Sequence, residues 1–97
     1  MSTNQNPEEF YKKLKGQLYE TAQWPTEYLY KFIIKSDVQK IIQVETFFNN
    51  MGAVIHKTES KNAKYTSISI NVNMQDPEAV ILKYKEVTEN VEGVISL

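Results

Sequence analysis

Between Thr26 and Lys35 apolar and mixed positions alternate: Tyr28, Tyr30, Phe32 and Ile34 fall on one parity, Leu29, Lys31, Ile33 and Lys35 on the other. A period of two marks a strand, because successive side chains of an extended chain point to opposite faces. The aromatic face should look into a core. The rhythm returns from Lys64 to Asn73, where Thr66, Ile68, Ile70 and Val72 alternate with Ser67, Ser69, Asn71 and Asn73. From Ser67 to Asn73 this second face is polar, as in a strand packed on one side and wet on the other. Ala53 to Ser60 precedes it, and Lys61, Asn62 and Ala63 lie near the turn, so the two segments read as a hairpin.

Other segments follow the helical period. Phe10, Leu14, Leu18 and Ala22 recur every fourth residue and draw an apolar stripe along a helix from Pro7 to about Ala22. Asn6 supplies a cap, Pro7 the first helical position, and Glu8 and Glu9 the negative charge favoured at a helix start. Gly16 weakens the middle of this helix by about 1 kcal/mol relative to alanine. Trp24 and Pro25 stop it, since the residue before a proline is pushed out of the α region. Ser36 or Asp37 caps a second helix carrying Val38, Ile41, Ile42, Val44 and Phe48, closed by Asn49, Asn50 and Gly52. Asp76, Pro77 and Glu78 open a third, with Val80, Tyr84, Val87 and Val91 as its buried stripe. Gly93 to Leu97 forms a short last strand, and Met1 to Gln5 a loose polar tail.

After the first helix the order is β-α-β-β-α-β. Right-handed crossovers turn that order into an α+β, ferredoxin-like sandwich: a four-stranded antiparallel sheet with two helices on one face, plus the added N-terminal helix. The chain divides into a tail and amphipathic helix, residues 1–23, and a domain, residues 24–97. Its 97 residues support one modest core, and 41% hydrophobic with 24% charged residues is close to the average of folded soluble chains, which argues against disorder. No stretch approaches a membrane span, and the opening residues lack the apolar run of a signal peptide, so the expectation is a cytoplasmic protein without a membrane partner.

Absent residue types narrow the chemistry. Without cysteine there are no disulfides, thiol nucleophiles or thiolate metal sites. All eleven basic residues are lysine and the net charge is −1. Arginine provides the planar fork for bidentate recognition of phosphate and guanine, so tight nucleic-acid binding is not expected. The acylphosphatase chemistry known on this topology needs an arginine and is excluded with it. Nor does the mixed sheet face carry the aromatic platform of an RNA reader, since it presents Leu29, Lys31, Ile33, Ser67, Ser69 and Asn71.

The segment Trp24-Pro25-Thr26-Glu27-Tyr28-Leu29-Tyr30-Lys31-Phe32, with Ser60-Lys61-Asn62-Ala63-Lys64-Tyr65-Thr66-Ser67-Ile68-Ser69-Ile70-Asn71-Val72 and the ending Ile95-Ser96-Leu97, resembles the YbeD-like family of small bacterial proteins of unknown function. The resemblance implies a ferredoxin-like sheet similar to regulatory ACT domains, with members described as lipoate-linked regulators. It brings no catalytic residues. The helix Pro7 to Ala22 is longer than the one typical of that family.

In an ACT-type domain the loop after the first strand holds the effector, which makes Lys35, Ser36 and Asp37 the ligand-binding candidates. That loop lacks glycine, however, and Asp37 would repel a carboxylate, so a plain helix cap is the favoured alternative. His56, the single histidine, has no clustered carboxylates or nucleophile, and reads as a surface strand residue before it reads as a base or metal ligand. Lys61 and Lys64 read as solvated turn residues. Phe10, Leu14 and Leu18, together with Leu29 and Ile33, are the interface or sheet-face candidates. Either the helix folds back over the mixed face and completes the core, which is the preferred expectation, or helix and face meet a second subunit. The expected function is a non-enzymatic regulatory or interaction domain, without cofactor or metal, that binds a protein partner or a small metabolite and forms a homodimer. The alternative is an enzyme or accessory factor of lipoate or acyl metabolism, with His56 as its base.

Overall fold

The structure is a computed structural model and describes residues 6–97; the tail expected for Met1 to Gln5 lies outside the described residues. Along the chain run α1 (Pro7–Thr21), β1 (Thr26–Lys35), α2 (Val38–Thr46), β2 (Val54–Glu59), β3 (Tyr65–Met74), α3 (Pro77–Asn90) and β4 (Ile95–Ser96). The strands form one sheet in the order β2-β3-β1-β4, and each neighbouring pair is antiparallel. The protein is thus an α+β sandwich with an open four-stranded sheet and three helices.

Alternation decides the layers. Tyr30, Phe32 and Ile34 of β1 and Ile68, Ile70 and Val72 of β3 are buried against Val44 and Phe48 from the α2 segment and Val80, Tyr84 and Val87 of α3. Fully burying side chains of this size stabilises the fold by about 1.5–3 kcal/mol each, which makes this row the main cohesive element. The register sets Tyr30 opposite Ile70 and Phe32 opposite Ile68. The rings of Tyr30 and Tyr84 meet edge to face at 4.8 Å, and Tyr30 stacks on Phe32 at 5.9 Å. Both buried hydroxyls are satisfied, as burial demands: Tyr30 donates to the Val80 carbonyl at 3.0 Å, and Tyr84 shares a 2.8 Å hydrogen bond with Tyr28.

The helix starts are those expected. Asn6 accepts from the Glu9 N–H, Asp37 from that of Gln39 and Asp76 from that of Ala79, with Pro7 and Pro77 at the start of their helices. Two elements are shorter than their patterns suggested. Regular α2 stops at Thr46, and its chain descends through turns in which Asn50 (φ 63°) and Gly52 (φ 71°) adopt left-handed conformations. β4 has two paired residues, Ile95 opposite Ile33 and Ser96 opposite Phe32, where five had been expected. Left-handed Gly93 (φ 82°) turns the chain into it.

The N-terminal helix corrects the preferred expectation. α1 packs on α3, on the helical side of the sandwich, and among the described residues the mixed face of the sheet is left without a helix. Tyr11, Leu14 and Leu18 are its half-buried residues, while Phe10 stays 48% exposed. The reason is geometric: with 3.6 residues per turn, positions four apart advance by about 400°, so the Phe10-Leu14-Leu18-Ala22 row spirals away from any flat surface. Tyr11, Leu14 and Leu18 keep to one face by mixing steps of three and four. Polar contacts hold the helix in place: Trp24 Nε1 donates to the Leu18 carbonyl at 3.1 Å, Lys85 pairs with Glu8 at 3.4 Å, and the Tyr19 hydroxyl donates to the Glu78 carboxylate.

Candidate functional site

With the helices on one side, the other side of the sheet is left open, and the register fixes its neighbours. Three cross-strand rows follow from the pairings: Val54-Asn71-Leu29, then His56-Ser69-Lys31, then Thr58-Ser67-Ile33-Ile95. Leu97 extends the middle row, since its N–H donates to the Lys31 carbonyl at 2.9 Å. Beyond them, β1 and β3 end in Glu27 beside Asn73 at one extreme and Lys35 beside Tyr65 at the other.

Over β1 and β4 stand Leu29, Ile33, Ile95 and Leu97 with Lys31 between them; over β2 and β3 Val54, His56 and Tyr65 stand among the short side chains of Thr58, Ser67, Ser69 and Asn71. Leu29 is 50% exposed and Ile95 56%, and Val54, Tyr65 and Leu97 are exposed as well. Scattered surface leucines need no explanation, but Leu29, Ile33, Ile95 and Leu97 adjoin on β1 and β4 as a patch, with Val54 and Tyr65 on the same face beyond polar neighbours. Leu29 and Ile33, singled out from the sequence, both belong to it. Phe10, Leu14 and Leu18 do not, for they lie with α1 on the opposite layer. Val54, Ile95 and Leu97 escaped sequence reading because each sits in a segment whose own pattern is weak, and Tyr65 because it stands at the end of a parity that is otherwise polar. Only the pairing register brings them onto the face of Leu29 and Ile33.

The loop Lys35-Ser36-Asp37 is occupied by structural work. The Asp37 carboxylate accepts the Gln39 N–H at 2.9 Å, the Ser36 hydroxyl meets that of buried Thr66 at 2.8 Å, and the Ser36 N–H donates to the Lys64 carbonyl at 3.0 Å. Lys35 is exposed on the open face. The three candidates are therefore adjacent, but only Lys35 presents a free functional group, and the negative charge of Asp37 sits where an anionic effector would need donors.

His56 is exposed on β2 opposite Ser69. Among the described residues no three His, Asp or Glu side chains gather to hold a metal ion. Grooves on the helical side include the following pair. One, between α1 and α3, is lined by Glu8, Tyr11, Lys12, Lys15 and Lys85; the other, between α2 and the edge strand, by Val38, Ile42 and the Glu45–Lys57 ion pair at 2.7 Å. Among the described residues no helix is long and apolar enough to cross a membrane.

No family model matches the chain, and neither a curated protein nor a solved structure matches it.

Proposed function

We propose that this chain is a ferredoxin-like regulatory or interaction domain that docks a protein on its open sheet face and catalyses no reaction of its own. The observation that carries this reading is the set Leu29, Val54, Tyr65, Ile95 and Leu97, exposed on one face of a sheet that, among the described residues, no helix covers. A flat surface of this kind suits a protein better than a metabolite, because small ligands are held in concave sites that bury most of their area. The effector-loop alternative loses ground, since Ser36 and Asp37 are committed to the fold. The strand order β2-β3-β1-β4 is that of a ferredoxin-like sheet, a frame that can carry an interaction domain.

Site-specific photo-crosslinking tests the proposal. A benzophenone amino acid replacing Leu29 or Ile95 should give a discrete covalent adduct in cells, and the same group replacing Glu89, exposed on α3, should not. Equal labelling at all three positions, or none at 29 and 95, would refute the docking role of this face.

A further inference from the structure

We infer that the occupant of the open face is a second copy of this chain, seated face to face with its β1 antiparallel to β1 of the first. The inference rests on the reading of that face as a docking surface and adds the identity of the partner. It starts from the order of side chains on the open parity of β1, which is Glu27, Leu29, Lys31, Ile33, Lys35. Acid stands at one end, base at the other, and an apolar residue lies on each side of the centre.

That order is self-complementary under one of the two in-plane two-fold axes. An axis crossing β1 at Lys31 sets Leu29 of each copy on Ile33 of the other, and Glu27 of each on Lys35 of the other. An axis running along β1 sets like ends together and brings the two lysine ends into mutual repulsion. The lysine end is strengthened by Lys61 and Lys64 of the β2–β3 turn, both exposed. Opposite charges brought together at an interface fix register and orientation, which is the service the Glu27–Lys35 pairing performs. A two-fold interface uses the same patch on both copies, so one face supplies both halves.

Lys31 sits at the centre. The axis also sets exposed Lys31 of each copy opposite Lys31 of the other, a like-charge contact that weakens the pairing. Size sets the strength: with about 3.3 Å per residue and about 4.8 Å between strands, the four strands project roughly 440 Å². A stable interface takes about 800 Å² from each partner, so the dimer should be weak and dissociate on dilution.

Sedimentation equilibrium of the full chain at pH 8 and low salt, from micromolar to millimolar concentration, tests this. A reversible monomer–dimer equilibrium is expected that Leu29→Glu abolishes without lowering the thermal midpoint. Glu27→Lys and Lys35→Glu should each weaken the dimer about tenfold, a change of about 1.4 kcal/mol. The double variant should return to within about threefold of the wild type. A monomer throughout, a dimer indifferent to Leu29→Glu, or a double variant weaker than either single one would overturn the inference. The crosslink at Leu29 then separates the two readings. An adduct of twice the chain mass supports the second copy, an adduct with a protein of another mass sinks it but keeps the docking face, and no adduct sinks both.

Discussion

The hydroxyl of Ser36 lies 2.8 Å from that of Thr66, a residue 3% exposed, and so ties the loop leaving β1 to the start of β3. The two ends of this bond are not equivalent. Ser36 is exposed and can turn to water; Thr66 is buried and has no such recourse. Ser36→Ala should therefore cost about 1–3 kcal/mol, the desolvation of an orphaned buried hydroxyl, whereas Thr66→Val should cost about 1 kcal/mol or less. Urea unfolding of the two variants checks the asymmetry, and equal costs would show that the bond does not carry it.

Alkali should unfold the protein through its core tyrosines. Burial pushes the ionisation of Tyr30 and Tyr84 well above the ordinary 10.0, and the hydrogen bond with Tyr28 adds to the effect at Tyr84. A folded-state value above the unfolded one gives stability that is complete below pH 10 and falls as the pH rises beyond it. Titration followed by tyrosinate absorbance should show at least two of the six tyrosines ionising only together with loss of structure. A smooth titration of all six before unfolding would contradict the packing.

The acid limb should respond to Glu78. Its hydrogen bond from Tyr19 holds the carboxyl below the ordinary 4.5 and holds the Tyr19 hydroxyl up to about 12. The sign for Glu78 is opposite to that for the tyrosines: its contribution is present above pH 4.5 and fades as the pH falls through the lowered value. Tyr19→Phe should raise the titration midpoint of Glu78, measured by NMR, toward the ordinary value. An unmoved midpoint would show that the contact between α1 and α3 is not maintained in solution.

Along α1, half-burial should separate residues that the sequence pattern treats alike. Leu14→Ala and Leu18→Ala should each destabilise by about 1–2 kcal/mol, less than a fully buried leucine, and Phe10→Ala by less than about 0.5 kcal/mol. Thermal unfolding decides the matter, and a large effect at Phe10 would place the helix in another rotation about its axis.

At the β2–β3 turn, Ala63 has φ 58°, a conformation that costs a side chain with a Cβ about 1–2 kcal/mol. The turn accepts the strain because Asn62 and Ser60 side chains take up the N–H groups of Lys64 and Tyr65, at 3.1 and 3.0 Å. Ala63→Gly should raise stability by up to about 1 kcal/mol, the relief being partly offset by the greater freedom of glycine in the unfolded chain. A fall in midpoint would mean that the methyl group contributes more than its backbone costs.

Local signals in the chain carried most of this fold. Strict alternation located β1 and β3 to within a residue, and the Asn-Pro and Asp-Pro openings located α1 and α3. These are effects of neighbours in sequence, which a sequence displays directly. Where α1 docks is an effect of distant neighbours: Tyr11 meets Thr88 and Tyr84 across 77 and 73 positions, and no spacing within Pro7–Thr21 encodes them. The open face behaves in the same way. Leu29 and Ile33 were visible on the odd parity of β1, but Ile95 joins them only through a two-residue pairing that no pattern in Gly93–Leu97 announces.

The brevity of β4 leaves a further mark on the molecule. Ten residues of β1 face a neighbour of two, so among the described residues the stretch Thr26–Tyr30 has no partner strand on that side and is itself a rim of the sheet. A bare, greasy rim invites runaway growth into fibrils, one chain annealing to the next. Glu27 and Lys31 stand on either side of Leu29, charges of opposite sign that any incoming strand would have to strip of water. They act as gatekeepers, and neutralising both should shorten the lag before the protein aggregates.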